Sequence, residues 1–215
     1  MTDTQDAAPA DRLRAALDAL DSSARVQAAM TAGTHPHPTY VPALVAHCRV
    51  EPDFLVREML TWALTRHDPE QVTDMLLIEL GSRGAQVRSQ ALHPLSKIGG
   101  PRVWSAVTTE LLRDADDGVA RAAWRTAART APDAEKSALA RTLATQFARG
   151  ERETRRSLSE AFVVLGDAAM PVVATARETA GPAVSAHAAI TALLMSDPEL
   201  TFDEAVAQFE SRIAD

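Results

Sequence analysis

The chain has 215 residues, a formal net charge of −7, 46% hydrophobic residues and only 4% aromatic ones. Such a length carries a sizeable core, which Ala, Leu, Val and Ile must build, and this Ala-rich make-up favours close-packed helices over sheets. The acidic balance argues against bulk nucleic-acid affinity, and the single cysteine, Cys48, excludes an internal disulfide and fits a reducing compartment.

The chain opens Met1-Thr2-Asp3-Thr4-Gln5-Asp6, without the basic and apolar regions of a secretory leader. Residues 1–8 are expected to form a disordered tail. No uninterrupted apolar run approaches the roughly 18 residues of a membrane span, so the expected location is the cytoplasm, with no membrane partner. From residue 9 onward the sequence repeats. Helical segments are predicted at 13–20, 40–48, 72–80, 103–112, 138–147 and 170–176, and each is followed by a second helix.

Each second helix carries an anchor where a small or β-branched residue meets arginine: Ala24-Arg25, Val56-Arg57, Val87-Arg88 and Thr154-Arg155. Val119-Ala120 and Val184-Ser185 hold the same place without the arginine. Four residues on come Ala28, Leu60, Ala91, Ala123, Leu158 and Ala188; eight on, Leu64, Leu95, Ala127, Phe162 and Ala192. At about 100° per residue these offsets share one stripe, as an amphipathic helix requires. Glycines such as Gly81, Gly99-Gly100, Gly118, Gly150 and Gly166 punctuate the helices. A last helix near 202–213 is expected to cap the array.

The run Asp53-Phe-Leu-Val-Arg-Glu-Met-Leu-Thr-Trp-Ala-Leu resembles the second helix of a HEAT repeat, as does Val87-Arg88 followed by Ala91-Leu92 and Leu95. Pro42 and Pro171, early in two first helices, match that family too. The resemblance covers roughly residues 9–194. It implies an all-α, right-handed α-α superhelix, a HEAT-like (armadillo-like) solenoid of about six helical pairs over residues 9–215, whose second helices line a concave side.

The repeat register also maps the surface. Offsets 2, 6 and 10 fall opposite the core stripe. They hold Glu58, Trp62 and Arg66; Ser89, His93 and Lys97; Arg121, Arg125 and Arg129; Arg156, Glu160 and Val164. Arg66, Lys97 and Arg129 share one offset and should form a basic ladder. Segment 82–156 holds 14 basic and 8 acidic residues, a balance of +6, and the remainder, with 8 and 21, stands at −13. Such asymmetry speaks to partners. The expected function is a non-catalytic scaffold or adaptor that binds an acidic protein segment. Trp62 would be its apolar anchor, and Arg66, His93, Lys97, Arg121, Arg125, Arg129 and Arg156 its anion contacts. The competing view of those arginines is a solvated helix face, and Arg25, Arg57, Arg88 and Arg155 at offset 1 are expected to brace one repeat against the next. Trp104 and Trp124 are expected to be structural.

Other chemistry finds little support. His35, His37, His47 and Cys48 include zinc-type ligands, but His47 and Cys48 diverge by about 100° on a helix, so no metal or cofactor is expected. Cys48 fits a core position and His67 a helix C-terminal cation. No nucleophile elbow or phosphate loop appears, and Glu151, Glu153 and Glu160 among arginines suggest ion pairing. The alternative is a HEAT-like protein that binds nucleic acid, with or without chemistry; its enzymatic form would resemble the HEAT-like alkylpurine DNA glycosylases, which implies Trp, Asp and Arg on a basic concave face. An aspartate one turn after a tryptophan is missing here: Trp62, Trp104 and Trp124 are followed by Arg66, Thr108 and Ala128, and Asp68 is a poor substitute.

Overall fold

The computed structural model describes residues 8–214. The expected tail lies outside the described residues except for Ala8, the N-cap of the first helix. The chain divides after Gly99 into two compact units. In the first, α1 (Pro9–Leu17) packs on α2 (Ser22–Thr34), α3 (Val41–Cys48) on α4 (Phe54–Leu64), and α5 (Pro69–Glu79) on α6 (Ala85–Ile98). The second helices α2, α4 and α6 stack in order, and the first helices α1, α3 and α5 do the same.

In the second unit a broken first helix, α7 (Pro101–Ala106) and α8 (Thr109–Leu112), packs on α9 (Asp117–Thr130). Next come α10 (Asp133–Ala144) with α11 (Arg152–Leu165), α12 (Met170–Thr179) with α13 (Pro182–Ser196), and α14 (Phe202–Ala214) against α13. No strand occurs among the described residues. Each unit is a stack of helical pairs, the all-α solenoid architecture.

The stack follows from the repeat. The residues four beyond each anchor, Ala28, Leu60, Ala91, Ala123, Leu158 and Ala188, are all buried. A leucine there stabilises by about 1.5–3 kcal/mol through the apolar area it removes from water. An alanine instead lets two helices approach closely. Leu64, Leu95, Ala127 and Phe162 at offset 8 are buried as well, and Ala192 is half-buried. Phe162 stacks on Phe147, 4.8 Å between centroids, from the loop after α10.

Capping sets where each second helix begins. The N-cap sits three residues before the anchor in every pair: Asp21, Asp53, Gly84, Asp116, Glu151 and Gly181. Asp21, Asp53 and Asp116 accept N–H bonds from the first turn, Asp53 at 2.8 Å from Leu55 and 3.2 Å from Val56. Such a cap contributes about 1 kcal/mol.

Several expected boundaries shift. The first helix ends at Leu17, and Leu20 lies in the following turn, fully exposed. The segment 103–112 is two helices, because Thr108 turns its hydroxyl onto the Leu111 N–H and starts a new one. Helix α10 stops at Ala144, before Phe147.

By length and composition, Arg152–Thr179 would be long and apolar enough to cross a bilayer. Its charged residues, Glu160 and Asp167 within the apolar part and others at both ends, interrupt every apolar run in it. Gly166, at φ 62°, and a 3-10 turn at Gly166–Ala169 split this stretch into α11 and α12.

Candidate functional site

The offset-1 arginines have one recurrent task. Arg25 Nη1 donates to the carbonyls of Ala19 and Leu20, both at 3.0 Å. Arg57 does so to Glu51 and Pro52 at 3.1 and 2.6 Å, and Arg88 to Ser82 and Arg83 at 2.9 and 3.1 Å. Arg155 Nε donates to Gly150 at 3.1 Å. In each case the guanidinium folds back onto carbonyls five or six residues upstream and seals the turn inside its own repeat. The expected brace through an acid of the next repeat is found at Arg25, whose Nε and Nη2 meet the two Glu51 oxygens at 2.8 Å each.

Glu51 is the hub of the first unit. Its side chain is fully buried, accepts the Asp53 N–H at 2.8 Å and lies 3.1 Å from His47 Nε2. Its carbonyl takes Arg57 and, at 3.2 Å, Gln86 Nε2 from α6. Burial pushes this carboxyl up, but the Arg25 and Asp53 hydrogen bonds and the charges of Arg25 and His47 outweigh it and hold the group below its ordinary range.

Neighbouring Cys48 is buried, its thiol pushed up to about 12 by burial and then by the Glu51 charge. His35 and His37 sit on the exposed loop beyond α2, and His37 caps the 3-10 turn through Thr39. His67, expected as a helix C-terminal cation, follows the end of α4 and is buried. Its Nδ1 bonds to the Ala63 carbonyl at 2.8 Å and its ring lies edge-on to Tyr40. Asp68 caps α5 through the Glu70 and Gln71 N–H groups.

Where Ala120 replaces the arginine, the following repeat supplies one. Arg149 Nη2 reaches the Asp114 carbonyl, its Nε meets Asp117 at 2.8 Å, and its guanidinium lies 5.7 Å from the Trp124 ring. Trp124 is fully buried and donates its indole N–H to the Leu112 carbonyl at 2.8 Å, a structural tryptophan as expected. The loop bearing Arg149 is strained: Ala148 has φ 65°, uncommon for a residue with a side chain. His187 of α13 holds it, accepting the Ala148 N–H on Nδ1 at 3.0 Å while Nε2 faces the Arg155 carbonyl at 3.0 Å and Ser159 at 3.1 Å. Burial pushes His187 down to about 4.

The surface rows lie on the second helices. In the first unit Trp62 is 39% exposed, and its inner ring edge rests on Gly33 of α2, where an added Cβ would come within 2.3 Å. Trp62 therefore both packs across to the preceding repeat and offers a partial apolar face. Arg66 is exposed but falls beyond the end of α4, so it leaves the helical register that the ladder requires. His93 Nε2 lies 3.1 Å from Glu58, and Lys97 is exposed in the last turn of α6.

In the second unit Arg121, Arg125 and Arg129 follow one face of α9, the first two half-buried and the third exposed. Arg121 reaches Glu153 on α11 at 2.7 Å. Arg156 reaches Glu153 at 2.9 Å and Glu160 at 3.6 Å. Glu160 and Val164 are exposed on the same helix. A groove of about 450 Å³ between α11, α13 and α14 is lined by Ile190, Phe202, Val206, Phe209, Arg152 and Arg155, among others. Arg152 also pairs with Asp203 of α14 and lies over Phe202.

No family model matches the chain, and no curated protein matches it. Among solved structures it is similar to a designed armadillo repeat protein in complex with the peptide (KR)4, with 15% identity and a TM-score of 0.47 over 88% of this chain and 100% of that one. Two engineered proteins match over 95% of this chain and 98% and 100% of their own, with 16% and 14% identity and a TM-score of 0.43 each.

Proposed function

We propose that this repeat protein is a non-catalytic adaptor, and that the α9–α11 face of its second unit binds an acidic protein segment. The observation that carries the reading is the row of arginines on that face: Arg121, Arg125 and Arg129 along one side of α9, with Arg156 of α11 joined to Arg121 through a shared carboxylate. Guanidiniums in fixed geometry are the preferred partners of carboxylates. The segment 82–156 carries a balance of +6 in a chain of net −7, so the face attracts an acidic segment, while the acidic remainder disfavours a long polyanionic duplex. In the first unit Trp62 of α4, with Arg66 just beyond that helix and His93 and Lys97 on α6, offers a separate apolar contact for the same class of partner.

A cytoplasmic setting suits the lone buried Cys48. The catalytic reading has less behind it. Asp68 is committed to its helix cap, and Glu153 and Glu160 are paired with Arg121 and Arg156.

Affinity capture from the source lysate, with and without nuclease, compares the wild type with Arg121→Glu/Arg125→Glu. A protein retained by the wild type regardless of nuclease and lost by the variant is the expected result. Capture that disappears with nuclease overturns the reading in favour of nucleic acid.

A further inference from the structure

Glu153, half-exposed at the start of α11, serves two guanidiniums with one oxygen. Its Oε1 accepts from Arg121 Nη2 on α9 at 2.7 Å and from Arg156 Nη2 one turn away at 2.9 Å. Arg121 Nε is shielded from solvent and has no hydrogen-bond partner. An arginine binds a carboxylate best through two parallel N–H···O bonds, and one oxygen divided between two arginines gives neither of them that geometry. A shielded donor without a partner is costly, and a second carboxylate oxygen aimed at it would remove that cost. The two arginines come from successive repeats, so the fork between them is held by the stack itself.

We propose that Glu153 is an internal occupant of an anion-binding fork formed by Arg121 and Arg156, and that a carboxylate of the acidic partner displaces it on binding. The inference rests on the acidic-segment reading above and deepens it. Glu153 then acts as a built-in competitor that sets the affinity threshold and rejects weakly acidic segments. Glu160 lies farther from Arg156, at 3.6 Å against 2.9 Å for Glu153, so it provides the internal control.

The test titrates a fluorescent oligoglutamate peptide into the full chain as wild type, Glu153→Gln, Glu160→Gln and Glu153→Gln/Arg121→Gln, at low and physiological salt. Glu153→Gln should bind roughly two- to fivefold tighter, the range of an exposed ion pair. Glu160→Gln should gain distinctly less, although it removes the same charge, and the double variant should lose the gain. Equal gains from Glu153→Gln and Glu160→Gln would reduce the effect to net charge and overturn the proposal. Weaker binding by Glu153→Gln would also overturn it, since Glu153 would then be positioning the arginines. Wild-type binding without any gain in Glu153→Gln removes the fork alone; no binding by any form removes the acidic-segment reading and the fork with it.

Discussion

The same pair of residue types joins successive repeats in both units, with opposite physical outcomes. In the first unit Glu51 is fully buried and meets Arg25 with both oxygens, each bond 2.8 Å. In the second, Glu153 is 50% exposed and divides one oxygen between two arginines. Removing one partner of a buried pair strands the other charge in a low-dielectric site. Removing Glu153 costs far less, because water reaches part of both arginines left behind, Arg121 at 28% and Arg156 at 48% exposed. The first arrangement therefore belongs to the fold, and the second is free to exchange its carboxylate for another.

The sharpest way to break this contrast is Glu51→Ala, expected to destabilise the first unit by about 3–5 kcal/mol. Urea denaturation would show it as a fall in midpoint, and a loss below about 1 kcal/mol would put Glu51 on the same footing as Glu153. The second unit has its own buried joint at His187, whose neutral ring receives the Ala148 N–H. Its folded pKa, about 4, lies below the ordinary 6.5. The unfolded chain therefore binds the extra proton between those values, and stability falls as pH drops from about 6.5 toward 4. The loss reaches at most about 3 kcal/mol, and His187→Gln should flatten that limb of the stability–pH curve. Glu51, held below its ordinary range, adds stability that is present above the usual carboxylate pKa and lost as pH falls through its folded value.

A smaller effect sharpens the comparison at Trp62. Gly33→Ala would place a Cβ within 2.3 Å of its ring, and overpacking of that kind costs about 1–3 kcal/mol. The tryptophan emission should shift as the ring is displaced, and an unchanged spectrum would contradict the packing. Smallest of all, Glu153→Gln should alter stability by under about 0.5 kcal/mol, in direct contrast to Glu51→Ala.

What the sequence revealed depended on how local each signal is. The anchors and the buried residues four positions on were legible because helical periodicity needs only a window of about a dozen residues. The outward rows followed from the same register, and Trp62, Lys97, Arg129 and Arg156 are exposed where it places them. The N-caps three residues before each anchor were in plain view as Asp21, Asp53 and Asp116, a polar spacing that apolar periodicity does not carry. The substitution of Arg149 for the missing arginine at Ala120 was not legible, since it spans 29 positions along the chain and depends on the strained turn at Ala148. The hub at Glu51 was equally hidden, because an Arg–Glu pair 26 residues apart looks the same on paper whether buried or exposed. Arg66 shows the opposite failure: its offset is right, but Thr65 ends the helix before it.

The central claim is that the arginine face of α9 and α11 recognises carboxylates on a protein segment. Its most direct test is a paired titration of the wild type and Arg121→Glu/Arg125→Glu with an oligoglutamate peptide and with a short DNA duplex, each at two salt concentrations. Saturable peptide binding by the wild type, lost in the variant and exceeding duplex binding at physiological salt, is the predicted result. Tighter binding to the duplex with a steep salt dependence, or equal peptide binding by both proteins, would contradict it.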